Sequence, residues 1–349
     1  MTEKPLKSTP LRLDWRQFIR ANASLLRLGL ITTLIFVVMS LLRPNLFPTA
    51  SNFSSMAFQF PEFAILALAM MLAMLTGGID LSIIANMNLS AILAGLVLSH
   101  LTDDPTAPAT LPILLAILIA LSAGTLAGLG NGLLIAKVGI PPILATLGTS
   151  QVYLGIAIVL TGGAAVHGFP NAFSAIGNGS LGAIPVPLIL FVALALGVAF
   201  LLNKTPYGFK LYLLGTNPLA ARFAGLDNPR LLILTYTLAG LLAAAAGILI
   251  MSRTNSIRAD FGASYLLLTI LVAVLGGINP YGGFGKVSGL VLAVLSLQFL
   301  SSGFNMLRFS NFAREFIWGA LLLLVMVLGT LSFGRRRKTH EPQRESERQ

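Results

Sequence analysis

The sequence predicts an all-α polytopic membrane protein with about ten transmembrane helices, a partial internal repeat and broken helices at two Gly-Gly-Ile motifs. Hydrophobic residues make up 56% of the chain and charged residues only 10%, whereas about a quarter of an average soluble chain is charged. Apolar runs of about 20 residues, the length that crosses a bilayer as a helix, recur along the whole chain. These observations exclude a soluble globular domain.

The apolar runs divide the chain into ten predicted spans and three regions. The spans cover 25–42, 56–76, 81–100, 111–136, 143–161, 184–203, 231–251, 263–278, 286–305 and 312–333. The regions are a basic cytoplasmic tail at 1–24, a transmembrane domain at 25–333 that includes a long cytoplasmic loop at 204–230, and a charged cytoplasmic tail at 334–349. The uncharged loop at 162–183 has room for a short re-entrant or interfacial helix.

The formal net charge of +11 is concentrated beside the predicted spans. Lys and Arg that flank apolar spans mark cytoplasmic ends, and they also contact anionic lipid head groups. With the N-terminus in the cytoplasm, the 23 Lys and Arg lie on cytoplasmic segments except for Arg43, Arg253, Arg258, Arg308 and Arg314. We therefore expect a multi-pass membrane protein with both termini cytoplasmic, embedded in the lipid bilayer and binding no nucleic acid; the resemblance described below implies the bacterial inner membrane.

Catalysis and cofactor binding find no support in the sequence. The chain has no cysteine, which excludes thiol catalysis and thiolate metal sites, and its three histidines match no metal-ligand spacing. The segment Gly282-Gly283-Phe284-Gly285-Lys286-Val287 fails as a phosphate loop because the first glycine and the final Ser or Thr are missing. We expect no catalytic, cofactor or metal site, and any ATP must bind to another subunit.

Two similar motifs end two apolar runs, one in each half of the chain. They are Thr76-Gly77-Gly78-Ile79-Asp80 and Gly276-Gly277-Ile278-Asn279, and Gly276 lies 199 residues after Gly77. Paired helix breaks are typical of transporters built from repeated halves. Backbone freed at such a break must be covered by protein or line a wet cavity. We therefore predict that Gly77, Gly78, Gly276, Gly277 and Asn279 belong to the translocation path or a gate.

Polar side chains after the first motif are further candidates for the path. Asp80 is either a gate residue or, together with Ser82, a local cap for the third span. Asn86 and Ser90 share a helical face because they are four residues apart. With Asn88, they either line a polar path for a hydroxylated solute or bond helices to each other. The same two interpretations apply to Gln151, Tyr153 and Gln298.

Charges and small residues near the other spans have simpler interpretations. Glu62, Arg314 and Glu315 lie near predicted helix starts, where interfacial solvation explains them without ion coupling. Gly124, Gly128 and Gly132 are spaced four apart in the fourth span. This spacing predicts close packing against another helix of the chain, with a dimer face as the alternative.

The loop at 204–230 contains the best candidate for a partner site. Asn217 can cap a short helix, Pro218 suits its first position, and Gly225 stops it. Such a helix can enter a groove on a partner, although a plain surface connector is equally compatible with the sequence. The candidate coupling residues are Asn217, Pro218, Leu219, Ala220, Ala221, Arg222 and Gly225.

Across about residues 25–333 the chain resembles the permease subunit of ribose-type ATP-binding-cassette (ABC) importers. The matching segments are Thr76 to Ser82, Pro141 to Thr149, Thr161 to Gly163, the coupling loop from Asn217 to Leu226, and Gly276 to Gly285. Three departures matter. Leu219 stands where the family usually has an acid, and Ile84 stands where it favours a glycine. The segment from Ala263 to Leu268 is more similar to permeases of the autoinducer-2 branch.

The resemblance implies a non-catalytic transport subunit. It implies about ten helices per chain and two permease chains forming the path, as a homodimer or heterodimer. It also implies separate ABC ATPase subunits that carry ATP and Mg, and a periplasmic solute-binding protein. The implied function is import of a small sugar or polyol. The alternatives are an autoinducer-2-type permease, or a secondary carrier or channel for a small polar solute.

Overall fold

The structure is a computed structural model that describes the backbone of residues 23–102 and 109–338 and the side chains up to residue 327. Regular structure in these residues is almost entirely helical. The helices are α1 (Ala23–Leu42), α2 (Ala50–Gln59), α3 (Pro61–Leu75), α4 (Ile83–Leu101), α5 (Thr110–Leu133, continued by a π-helical turn at Leu134–Val138), α6 (Pro142–Thr161), α7 (Asn171–Asn178), α8 (Val186–Lys204), α9 (Pro206–Thr216), α10 (Pro218–Phe223), α11 (Asn228–Thr254), α12 (Tyr265–Leu275), α13 (Val287–Met306) and α14 (Asn311–Lys338).

Four two-residue strands lie in the connections. They are β1 (Val166–His167), β2 (Ser180–Leu181), β3 (Ile184–Pro185) and β4 (Ser256–Ile257). Strand β1 pairs with β4 and β2 with β3, both antiparallel. The loop at 162–183 thus contains α7, whose Asn178 amide donates to the Ser252 carbonyl (3.3 Å). This contact fastens the loop to the C-terminal end of α11.

Seven helices in the described residues are long and apolar enough to cross a membrane. They are α1, α4, α5 with its π-helical turn, α6, α8, α11 and α13. An eighth span results if α2 and α3, which meet at a 45° bend, are counted as one. The bend lies at Pro61, which has no N–H to donate and suits the first position of a new helix. If α2 and α3 form one span, the break inside it lies here, whereas the two Gly-Gly-Ile motifs lie between successive helices.

The predicted span at 263–278 requires correction. Its helix, α12, has only 11 residues and is about 16 Å long at 1.5 Å per residue, half of a hydrocarbon core about 30 Å thick. The helix begins after Gly262, which has a φ of 67°, and ends at Gly276. Hydropathy does not predict these two helix ends, because both lie within the apolar run. The predicted span at 312–333 lies within α14, a 28-residue helix.

Helix α3 forms the centre of the molecule, and all of its residues are buried. An apolar helix without a polar face is stable only where other helices surround it. Helices α4, α8, α11 and α12 provide that cover. On the outer surface, large apolar side chains such as Leu30, Val159 and Leu196 are exposed, as expected of helices that face lipid.

The glycine stripe on α5 packs inside the chain, as predicted. A Cβ on Gly128 would lie 2.3 Å from the Tyr236 carbonyl oxygen, and one on Gly124 would lie 2.7 Å from the Gly240 carbonyl oxygen, both on α11. Because side chains are absent at these points, the two helix backbones approach closely. The dimer-face alternative is not needed to explain the stripe.

Candidate functional site

The first Gly-Gly-Ile motif caps the C-terminal end of α3. Gly77 has a φ of 84°, in the left-handed region that glycine adopts without strain. Its N–H donates to the Met74 carbonyl (2.9 Å), and the Gly78 N–H donates to the Ala73 carbonyl (3.3 Å). These two bonds are those of a Schellman cap. The chain therefore stops the helix and turns sharply at this motif.

The second motif caps α12 with the same pair of bonds. The Gly277 N–H donates to the Val274 carbonyl, and the Ile278 N–H to the Ala273 carbonyl, both at 3.0 Å. Gly277 has a φ of 83° and is thus the geometric equivalent of Gly77. The letter-by-letter alignment, which pairs Gly77 with Gly276, is therefore wrong by one residue. The two motifs are correctly aligned by the glycine that has a positive φ. The sequence alone does not show which glycine of a Gly-Gly pair adopts that conformation.

Three backbone segments meet beside the first motif with no side chain between them. The Gly283 N–H donates to the Leu75 carbonyl (3.0 Å). A Cβ on Gly215, at the end of α9, would lie 1.9 Å from the Leu75 oxygen, and one on Gly282 would lie 2.8 Å from the Gly77 nitrogen. Only glycines permit this contact. We call Leu75, Gly77, Gly215, Gly282 and Gly283 the glycine junction.

The loop that follows the second motif is held in shape by its own bonds and by α9. The Asn279 amide donates to the Gly282 carbonyl (3.1 Å) and its oxygen accepts the Tyr281 N–H (3.1 Å). The Tyr212 hydroxyl on α9 donates to the Gly285 carbonyl (2.8 Å). Burial raises the pKa of Tyr212, so the phenol keeps the proton that it donates. The second motif is thereby linked to α9.

The predicted coupling segment forms α10 directly after the junction. The Asn217 side chain accepts the Ala220 N–H (3.0 Å), and Pro218 occupies the first helical position. Gly225, with a φ of 80°, follows the end of the helix. The predicted cap, start and stop are therefore confirmed as local structure. The Asn228 amide also donates to the Pro218 carbonyl (2.8 Å), which holds α10 against the start of α11.

The side chains of α10 divide into one buried and several exposed positions. Ala221 is buried, whereas Ala220 and Arg222 are exposed. Leu219 and Phe223 are 63% and 84% exposed, and because they are four residues apart they share one side of the helix. The helix therefore presents two large apolar side chains on its free face.

Asp80 belongs to a buried network that joins the first motif to α5 and α6. Its Oδ1 accepts the Ser82 N–H (2.9 Å) and hydroxyl (2.7 Å). The Asn131 amide donates to the Ser82 oxygen (2.7 Å), and the Thr149 hydroxyl donates to the Asn131 oxygen (2.7 Å). Asp80 thus accepts a backbone N–H, as its capping interpretation predicts. Ser82 does not cap α4 and instead links Asp80 to Asn131.

Asn86 and Ser90 lie on one face of α4, as their spacing predicts, and both are buried. The Ser90 hydroxyl donates to the Asn86 oxygen (3.1 Å), and the Asn86 amide donates to the Gly124 carbonyl on α5 (3.2 Å). These bonds match the interhelical interpretation. A place for these residues along the solute path stays a prediction.

Asn88 and Gln151 lie in different surroundings from each other. The buried Asn88 amide donates to the Ala259 and Phe261 carbonyls, both at 2.9 Å, which ties α4 to the loop before α12. Gln151 is exposed on α6. The structure therefore does not bring the polar candidates for the path into one cluster.

Glu62 is the charged side chain whose surroundings the sequence predicted wrongly. It is fully buried rather than solvated at a helix start. Its carboxylate forms an ion pair with Arg253 at the end of α11 and accepts a hydrogen bond from the Tyr265 hydroxyl (3.3 Å). Burial follows from the central position of α3, whose start is covered by α11 and α12. The available signal was that Glu62 and Arg253 lie at span ends on the same predicted side.

Comparisons with known proteins agree on a class of membrane transport subunit. The family described as branched-chain amino acid transport system / permease component matches residues 52–326. This range includes the glycine junction, α10, and the Glu62–Arg253 pair. No solved structure matches the chain.

Three named relatives show how far the similarity extends, and each carries the name autoinducer 2 import system permease protein LsrD. The Yersinia enterocolitica protein is 36% identical over 278 residues, which cover 78% of this chain and 81% of that protein. The Klebsiella pneumoniae protein is 34% identical over 334 residues, which cover 93% of this chain and 94% of that protein. The Yersinia pseudotuberculosis protein is 35% identical over 278 residues, which cover 78% of this chain and 80% of that protein. This chain therefore belongs to the family of transport-system permease components and is a multi-pass inner-membrane protein.

Proposed function

We propose that this chain is the permease subunit of a binding-protein-dependent ABC importer and forms the translocation path for a small sugar or polyol. The chain itself performs no catalysis and holds no cofactor, and ATP with Mg binds to a partner ATPase. A second permease chain completes the path, and a periplasmic solute-binding protein delivers the solute. Family membership supports this assignment, and so does the absence of cysteine and of a phosphate loop from the sequence.

The observation that carries the proposal is the connection of α10 to the glycine junction. Leu219 and Phe223 offer an apolar contact on a short helix. Only Thr216 and Asn217 separate this helix from Gly215, which touches the backbone of both glycine loops. An ATPase that grips α10 would therefore move the ends of α3 and α12 directly.

The tight backbone contacts favour rigid-body transmission of that movement. Interfaces without side chains cannot absorb a displacement by rotamer changes, so the helices they join shift together. In the proposed topology α10 and the glycine junction face the cytoplasm. Arg253 and the start of α3 then face the periplasm. The motion of the ATPases would thus open or close the path from its cytoplasmic end.

Substitution on α10 tests the proposal. Ala220→Arg adds a bulky charge at an exposed position. The same substitution at the buried Ala221 could disturb folding, so its effect on ATPase docking would be ambiguous. We expect A220R to abolish solute uptake and co-purification of the ATPase while membrane insertion stays normal. The control is Leu181→Asp in β2, where the leucine is 69% exposed and follows the helix that is bonded to the end of α11, away from α10.

The result decides between three outcomes. Normal ATPase association and uptake in A220R would refute the docking role of α10. Uptake that an uncoupler stops at constant ATP, without any co-purifying ATPase, would favour a secondary carrier instead. Loss of ATPase binding in A220R but not in L181D supports the proposal.

Autoinducer 2 is the second candidate solute because the relatives named above are autoinducer 2 import permeases. The segment from Ala263 to Leu268 also resembles that branch. Uptake of autoinducer 2 and of pentoses, hexoses and polyols by cells that carry the intact transporter separates the two candidates. A sugar or polyol taken up in preference to autoinducer 2 supports the first.

A further inference from the structure

A pocket of about 460 Å³ lies at the opposite end of α3 and α12 from the glycine junction. Helix α3 begins there at Pro61 and reaches the junction at Leu75, while α12 begins there at Tyr265 and ends at Leu275. The ends of α2, α11 and α13 and the start of α14 complete the wall. The pocket belongs to a single chain, and Gln298 is the one path candidate predicted from the sequence that lines it.

The most buried polar side chain on the pocket wall is that of Gln298 on α13, which is 4% exposed. In the described part of the chain no hydrogen bond reaches its amide, whose atoms keep access to the space of the pocket. An amide that opens into a pocket forms its hydrogen bonds with water or with a ligand there.

The charges around the pocket are balanced. Arg253 is already paired with the buried Glu62. Arg314 donates to the Asn305 and Asn311 side-chain oxygens, and Glu315 lies beside it on the wall. Two bases and two acids leave no net charge to attract an ion. Recognition in this pocket therefore depends on neutral hydrogen-bonding groups.

Neutral donors, acceptors and aromatic faces are all present. Gln59 and Asn305 contribute amides and Ser301 a hydroxyl, while Phe63 and Trp318 contribute flat apolar surfaces. Amides suit hydroxyl groups, which both donate and accept, and aromatic faces suit the C–H surface of a sugar ring. The volume falls in the range of small-molecule sites, roughly 300–1,000 Å³.

We infer that this pocket binds a small, uncharged, polyhydroxylated solute, with the Gln298 amide as its most buried hydrogen-bonding group. The inference deepens the proposed function and rests on it for the class of solute. In the proposed topology the pocket opens on the periplasmic side, where the solute arrives. Each permease chain then holds a solute site of its own before the shared path.

Tryptophan fluorescence provides a direct test because the sequence contains only two tryptophans, Trp15 and Trp318. Trp15→Phe leaves Trp318, on the pocket wall, as the only reporter. The full chain with W15F is placed in nanodiscs of zwitterionic lipid and titrated separately with ribose and ribitol. We expect a saturable change in Trp318 emission with at least one of them.

Three variants in the W15F background show whether the pocket is responsible. Gln298→Leu should weaken binding about fivefold, the loss of roughly one hydrogen bond. Gln59→Leu lies at an exposed position, so it keeps the test valid if Q298L fails to fold, and it should weaken binding by about twofold. Ser296→Ala is the control on the same helix, because its hydroxyl is bonded to Thr32 on α1, and it should bind as W15F does.

Two results would overturn the inference. One is the absence of a saturable response, or an identical response in Q298L, Q59L and S296A. The other is a Trp318 response to phosphatidylglycerol in the nanodiscs rather than to polyols, which would identify a lipid head-group site. ATPase-driven uptake in the assembled transporter separates this outcome from the proposed function. Uptake without pocket binding refutes the pocket alone, whereas pocket binding without ATP-driven uptake refutes the transporter assignment.

Discussion

At the scale of single residues, the pair of Glu62 and Arg253 connects positions 191 apart in the chain. The carboxylate is fully buried and the arginine side chain is 27% exposed. A buried ion pair gains little over apolar packing, but removing one partner leaves an unpaired charge at high cost. The pair therefore fixes how the start of α3 meets the end of α11 and shapes one wall of the pocket.

Glu62→Gln should lower the stability of the purified chain by about 3 kcal/mol, since Arg253 then lacks its counter-charge. Thermal unfolding in detergent measures the change. The double variant E62Q/R253Q should recover part of the loss because no charge is left unpaired. Arg258→Gln is the matched control, because its ion pair with Asp260 is exposed and contributes less than about 1 kcal/mol.

Equal melting temperatures for E62Q and R258Q would show that the buried pair has no such role. Equal losses in E62Q and in the double variant would assign the effect to the Glu62 side chain alone. A melting temperature of the double variant between those of the unsubstituted chain and E62Q is therefore the result that supports a charge-based explanation.

Residue-level prediction from the sequence succeeded where the interaction is local. The cap at Asn217 depends on a residue three positions away, and residue type with spacing is enough to predict it. The partner of Glu62 depends on how α3, α11 and α12 pack. Position near a span end suggested solvation, and only the tertiary arrangement shows that α11 covers this site.

At the scale of elements, the two glycine-capped helices show what the sequence pattern contains and what it omits. Repetition of Gly-Gly-Ile predicted two similar turns, and the caps of α3 and α12 share both hydrogen bonds. The length of α12 was not predictable from hydropathy. An apolar run of 16 residues has the same hydropathy whether the helix covers all of it or only part of it. The glycines at its two ends determine the length of α12. The contacts of the glycine junction join segments far apart in the chain, so the sequence pattern does not predict them either.

Gly215→Ala tests the glycine junction as a mechanical contact. The new Cβ would lie 1.9 Å from the Leu75 oxygen and 2.4 Å from the Gly283 nitrogen, and both are backbone atoms that cannot rotate away. We expect the Gly283–Leu75 bond to break and stability to fall by roughly 1–3 kcal/mol, as in other overpacked sites. Thermal unfolding measures the loss, and ATP consumed per solute imported should rise.

Gly197→Ala on α8 is the control for the same substitution in a helix. Among the described residues no atom lies within 4 Å of its added Cβ, so the change should stabilise the chain by a few tenths of a kcal/mol to about 1 kcal/mol. A G215A variant with the same stability and coupling as G197A would show that the junction tolerates separation and transmits nothing.

At the scale of the whole molecule, the fold places the two proposed sites at opposite ends of the same helices. One end carries α10 and the glycine junction, and the other carries the pocket and the Glu62–Arg253 pair. Helices α3, α11, α12 and α13 run between them. This polarity suits an importer only if α10 faces the cytoplasm. The orientation is therefore the global property on which both the proposed function and the pocket inference depend.

Cysteine labelling tests that orientation, and the natural chain is already free of cysteine. Leu219→Cys on α10 and Leu181→Cys in β2 are a matched pair, since the leucines are 63% and 69% exposed and lie at opposite ends. With a membrane-impermeant maleimide, L181C should be labelled in spheroplasts and L219C only in inverted vesicles. The positive-inside distribution of Lys and Arg is the physical reason, because basic segments stay in the cytoplasm. The reverse labelling pattern would place α10 outside the cell, beyond the reach of any ATPase, and would refute the coupling role together with the periplasmic pocket.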